Sequence, residues 1–86
     1  MKVLFYGSVQ EKALGDTFAD VGDAASVRAI VDSLGEHYGE GFKAFLLDGG
    51  ACFFLVNGSG IMATGGLDTP LASGDTVEVL PFVDGG

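Results

Sequence analysis

The sequence predicts an α+β domain of two layers, a mixed sheet with one helix packed across a face. Three observations carry that expectation. The length, 86 residues, suits a single domain over residues 1–86 and leaves little room for a second core. Apolar residues make up 48% of the chain, enough for a core in spite of 15 glycines, which argues against disorder. The apolar segments follow the order strand, strand, helix, strand, short strand, strand.

Lys2-Val3-Leu4-Phe5-Tyr6 is rich in branched and aromatic residues and stops at Gly7-Ser8, the pattern of a first strand. Its alternation sets Val3 and Phe5 on one face, Leu4 and Tyr6 on the other. Thr17 to Val21 reads as a weaker second strand, reached by an irregular connection that ends in Gly15-Asp16. Ser26 is placed to cap a helix, because its hydroxyl accepts an orphan backbone N–H. Val27, Ile30, Val31 and Leu34 then fall at i, i+3, i+4 and i+7, one apolar stripe. Gly35 weakens the last turns, and Gly39 or Gly41 ends the helix. Phe42 to Leu47 is short and apolar, and periodicity leaves open a helical turn or an extended segment.

After the Asp48-Gly49-Gly50 turn, Cys52 to Val56 reads as a central strand, closed by the tight-turn pair Asn57-Gly58. Ile61-Met62-Ala63 is expected to form a short strand, and Gly65-Gly66 to begin a loop. Thr69 to Asp75 is turn-rich and leads into a last strand, Thr76 to Leu80, which Pro81 ends or edges. The pattern permits the first and last strands to lie side by side at the sheet centre without requiring it. Val77 and Val79 would face the helix, leaving Glu78 and Leu80 on the opposite face. With Leu4 and Tyr6 on that face, an exposed apolar patch forms, of the kind that marks partner interfaces.

The charge is lopsided, with 12 acidic residues against four basic ones and a net charge of -8. Such a chain is repelled by phosphate backbones and anionic membranes, so neither nucleic acid nor membrane is an expected partner, whereas a basic groove attracts it. The same acidity also serves solubility. The single cysteine, Cys52, forms no internal disulfide and supplies no multi-thiolate site, which points to a cytoplasmic protein. The apolar start at Met1 is too short for a signal peptide, and no stretch approaches a membrane span.

Side-chain catalysis finds little support. His37, the lone histidine, has no second ligand near it in sequence and reads as a surface residue. Cys52 lies in the apolar run Cys52-Phe53-Phe54-Leu55-Val56 and reads as buried and inert. Asp16, Asp20 and Asp23 show no ligand spacing and read as a solvated face. Gly58, Gly60, Gly65 and Gly66 lack the Lys-Ser/Thr of a phosphate-binding loop. No metal site is expected.

The last residues differ. Val83-Asp84 leads to Gly85-Gly86, where the sequence stops, a thin and flexible tip able to thread a narrow slot. A frayed tail has the same composition. A free carboxylate is a poor electrophile, but as a mixed anhydride with AMP it gains a leaving group, and sulfur or a lysine amine then attacks the carbonyl.

The segment Gly74-Asp75-Thr76-Val77-Glu78-Val79-Leu80-Pro81-Phe82-Val83-Asp84-Gly85-Gly86 resembles the end of the MoaD/ThiS family of sulfur carriers. That family closes with a Gly-Asp turn, an apolar strand, a proline step and Val-x-Gly-Gly. Lys2 to Tyr6 and Val56-Asn57-Gly58 also resemble the small subunit of molybdopterin synthase, in which a second proline often stands where this chain has Phe82. The resemblance implies a ubiquitin-like β-grasp fold. It implies that Gly86, behind Gly85, is adenylated by an activating enzyme of the ubiquitin-activating type and converted to a thiocarboxylate. ATP is then used by that partner, and the chain itself binds no cofactor. In the molybdopterin pathway the large synthase subunit would receive the tail, and the chain would be the sulfur-donating small subunit rather than an enzyme alone. A partner face of Leu4, Tyr6, Leu80, Phe82 and Val83 follows. A ubiquitin-like modifier conjugated through Gly86, a thiamine-pathway carrier and a plain interaction module are the alternatives.

Overall fold

The structure is a computed structural model, and it describes residues 1–82. Five strands form one mixed sheet in the order β2-β1-β5-β3-β4: β1 (Lys2–Phe5), β2 (Phe18–Asp20), β3 (Cys52–Val56), β4 (Ser59–Gly60) and β5 (Val77–Pro81). β1 and β5 pair in parallel at the centre, with Val3 opposite Val77 and Phe5 opposite Val79. All other pairings are antiparallel. The arrangement is the β-grasp, and the juxtaposition of first and last strands that the sequence permitted is its central feature.

α2 (Val27–Tyr38) crosses one face of the sheet. Ser26 caps it, its Oγ accepting from the Ala29 N–H at 3.2 Å. The stripe Val27, Ile30, Val31 and Leu34 is buried against the inward side chains Val3, Phe5, Val77 and Val79, all at most 1% exposed. Each such burial contributes about 1.5–3 kcal/mol. Gly39, with φ 103° and ψ 171°, ends α2 and turns the chain straight into α3 (Glu40–Leu47), which resolves the ambiguity of Phe42 to Leu47 as helix. Gly35 makes that bend compact. A Cβ there would lie 2.9 Å from Lys43 Cδ and 3.0 Å from Lys43 Cβ, so a larger residue would push the Lys43 side chain aside. Phe5, Tyr38 and Phe42 meet edge to face beneath the bend, with centroids 5.0–5.9 Å apart.

Four local readings change. The connection after β1 contains one turn of helix, α1 (Ser8–Lys12), which buries Val9. Ala13, just beyond it, is buried on the same side. One turn is too short for periodicity to reveal. Ile61–Ala63 is a 3-10 turn rather than a strand, because the hairpin partner of β3 is used up at Ser59–Gly60, and Ile61 then dips into the core. A second 3-10 turn spans Gly66–Asp68. β3 lies second from the edge, flanked by β5 and β4, rather than at the centre. The Asn57-Gly58 turn forms as expected, both residues at positive φ, and the Asn57 side chain holds Thr76 N–H and Asp75 Oδ1 at 3.0 Å each, fixing the start of β5. No helix among the described residues is long and apolar enough to cross a membrane.

Candidate functional site

One face of the sheet carries the helices, and among the described residues the other carries none. Strand alternation puts Leu4 of β1, Glu78 and Leu80 of β5, and Phe53 and Leu55 of β3 on that second face, all half-buried. Phe18 of β2, opposite Leu4, extends it with 49% of its surface exposed. The parallel register sets Tyr6 just past β1 and beside Leu80, with its N–H donating to the Val79 carbonyl at 3.1 Å. Tyr6 is 38% exposed, and the neighbouring Glu78 carboxylate raises its phenol above the ordinary value. The predicted Leu4, Tyr6, Glu78 and Leu80 are thus brought together.

The chain leaves the sheet at the Tyr6–Leu80 end. Pro81, opposite Cys52, is the last residue of β5, and the Phe82 N–H donates to the Ala51 carbonyl at 3.2 Å. Phe82, 55% exposed, lays its ring on Phe53 with centroids 4.9 Å apart. Val83, Gly85 and Gly86, the other residues assigned to the partner face and to the chemistry, lie outside the described residues, as does the expected flexible tail 83–86. Beside Phe82, an apolar groove of about 420 Å³ runs between the end of α3 and the Ile61 turn, lined by Leu47, Met62 and Leu67 among others. Phe18, Phe53 and Leu55 were missed as members of the outer face. The period-2 alternation of Cys52-Phe53-Phe54-Leu55 contains that signal for β3 once Phe54 is known to be inward.

The side chains set aside on sequence remain apart. The Cys52 thiol is 4% exposed, its Sγ 3.7 Å and 3.8 Å from the carbonyl oxygens of Phe45 and Leu46, and burial and then Asp48 push it up to about 11. His37 is exposed on α2, edge-on to Tyr38. Asp16, Asp20 and Asp23 are exposed. Asp16 accepts from the Tyr38 hydroxyl at 2.6 Å, and Asp20 from the N-terminal ammonium at 3.1 Å. Among the described residues no three of His, Cys, Asp and Glu converge to hold a metal ion.

The fold and the end of the chain agree with one family. Its sequence profile, that of the ThiS family, matches residues 3–86 and so takes in the terminal glycine pair. The chain belongs to the ThiS family. No curated protein sequence matches it. A chain of the BexX/CysO complex of Amycolatopsis orientalis is 26% identical, covering 99% of this chain and 98% of that one, at a TM-score of 0.83. Small archaeal modifier protein 1 of Methanosarcina acetivorans is 26% identical over 99% of this chain and 94% of that one, at 0.80. The complex of subunits 1 and 2 of the molybdopterin-converting factor of Helicobacter pylori is 32% identical over 99% of this chain and 96% of that one, at 0.62. With these ThiS-family neighbours the chain shares the ubiquitin-like sulfur-carrier fold.

Proposed function

We propose that this ThiS-family chain is a sulfur carrier in molybdopterin biosynthesis. In this reading an activating enzyme uses ATP to adenylate the Gly86 carboxylate, and a sulfur nucleophile displaces AMP to leave a thiocarboxylate. The chain itself binds no cofactor and is the sulfur-donating small subunit, not an enzyme alone. The observation that carries the reading is the family match through Gly85-Gly86 in a chain whose reactive side chains are hidden or solitary. The outer face at the Tyr6–Leu80 end supports it, because a partner seated there meets the chain as it leaves β5. The likeness to a molybdopterin-converting factor subunit, at 32% identity, favours this pathway over the thiamine one. The large synthase subunit is then the second partner, after the activating enzyme.

The likeness to a small archaeal modifier protein favours a second reading, conjugation of Gly86 to lysine amines of other proteins. Both readings pass through the same acyl adenylate, so the acceptor separates them. The intact mass of the protein is measured after incubation with activating enzyme, ATP and a sulfur source. Exchange of one oxygen for sulfur at Gly86 is the expected result. An unchanged mass with a verified active enzyme overturns the carrier role, and isopeptide adducts in cell extract in its place establish the modifier.

A further inference from the structure

Glu78 stands in the middle of the apolar outer face. Its Cα is paired with Leu4 on one side and Leu55 on the other, and Leu80 follows it two residues along β5. Among the described residues no cation forms an ion pair with it, although Lys2 lies on the same face of β1, two residues before Leu4. Lys2 Nζ lies 4.4 Å over the Phe18 ring, and Lys12 Nζ 5.7 Å from the Phe45 centroid. Arg28 pairs with Asp68 and Lys43 with Asp32, each at 3.0 Å, and the N-terminus pairs with Asp20. The polar group beside the Glu78 carboxylate is the Tyr6 hydroxyl, whose phenol the carboxylate raises above its ordinary value. In solvent that arrangement is harmless. Under a purely apolar partner it is not, because a carboxylate stripped of water and given one neutral hydrogen bond carries a large desolvation penalty.

We infer that the protein seated on this face presents an apolar surface with one cationic side chain, an arginine, opposite Glu78. Resting on the proposed activation of Gly86, this assigns Glu78 as the residue that selects the partner. A guanidinium suits the place better than an ammonium. The exposed Tyr6 ring, beside Leu80 on the same face, offers a surface on which a planar cation stacks while its fork meets the carboxylate. The net charge of -8 draws a basic partner in, while the single central charge decides which apolar face fits. The same carboxylate rejects partners that are apolar throughout, a specificity element by exclusion.

The test uses the whole chain and the purified enzyme that loads Gly86 in the mass experiment, with affinity read by titration calorimetry at two salt concentrations. Glu78→Gln keeps the shape and is expected to weaken binding by roughly thirtyfold or more and to flatten the salt dependence. Glu78→Arg is expected to abolish binding, and replacing the enzyme's facing arginine by glutamate to restore it. Leu80→Asp reports on the face itself, and Glu36→Gln, on the exposed side of α2, is the neutral control. Unchanged thermal unfolding of each variant establishes that the fold is kept. Loss with Leu80→Asp but full affinity and salt dependence with both Glu78 variants overturns the inference and leaves the carrier reading intact. Full affinity with Leu80→Asp overturns the docking face, and with it the role of Glu78. An enzyme that never loads Gly86 overturns the proposed function.

Discussion

Cys52 is the one side chain that competes with the chain end for the role of sulfur carrier, since a persulfide on it would also hold transferable sulfur. The perturbation that decides is Cys52→Ala. The thiol is 4% exposed and pushed up to about 11, chiefly by burial. At pH 7 about one molecule in ten thousand then holds the thiolate, about a hundredfold fewer than a thiol at the ordinary value of 9.0. Iodoacetamide should therefore modify the native protein at least about a hundredfold more slowly than the same chain in urea, before restricted access adds its own factor. Loss of Sγ leaves a small cavity between β3 and the end of α3, costing on the order of 1 kcal/mol, which a folded domain tolerates. Sulfur loading, read by intact mass after incubation with activating enzyme, ATP and a sulfur source, should be the same in Cys52→Ala as in the wild type. A folded variant that takes up no sulfur, or native alkylation at the unfolded rate, refutes the reasoning.

Alkaline stability follows from two tightly held protons. Cys52 and Tyr38, the latter pushed up to about 12 by burial and its hydrogen bond to Asp16, both hold their protons more tightly folded than unfolded. The folded state therefore binds more protons between about pH 9 and 12, and the urea midpoint should fall across that window, less steeply in Cys52→Ala or Tyr38→Phe. Gly39→Ala should cost about 1–3 kcal/mol, because φ 103° with ψ 171° is strained for any residue with a Cβ. Gly41→Ala, inside α3 with open space around its Cβ, should gain about 0.5–1 kcal/mol, and urea titration of the pair reads both signs. One residue added after Gly86 should abolish sulfur loading while thermal unfolding is unchanged, and loading through an unprocessed extension would remove the carboxylate from the mechanism.

The elements that burial controls were legible. Alternation in Lys2 to Tyr6 and in Thr76 to Leu80, and the Val27–Leu34 stripe, each state a face, and those faces form the core. Asn57-Gly58 was legible because a tight hairpin turn needs two residues at positive φ. What escaped depends on contacts between segments. α1 is a single turn held by Val9, and Ile61 enters the core only because β4 ends after two residues. Gly35 looked like a weakness of α2, and its use appears only when Lys43 is seen 2.9 Å from the missing Cβ. The outer face was half legible for a similar reason. Leu4 and Leu80 follow from alternation within a strand, whereas the place of Phe53 and Leu55 beside them needs the β3–β5 register.

The way the fold disposes of its reactive groups bears on why the chemistry is assigned to a backbone terminus. A small domain has one core, and this core takes the only thiol, leaving it protonated and wedged against two carbonyl oxygens. The only histidine is exposed on α2, in the helix layer. Under the proposed function the Gly86 carboxylate would need no pocket from its own domain, because an activating partner would supply the nucleotide, the oxyanion contacts and the exclusion of water. The domain then has two tasks, to hold β5 in a fixed position and to be recognised. The central parallel pair β1–β5 does the first, with Val77 and Val79 fully buried beneath it. In the proposed reading the outer face of the same strand does the second, with Glu78 paired between Leu4 and Leu55. A substitution at Glu78 should therefore separate recognition from folding, whereas one at Val79 should lose both together.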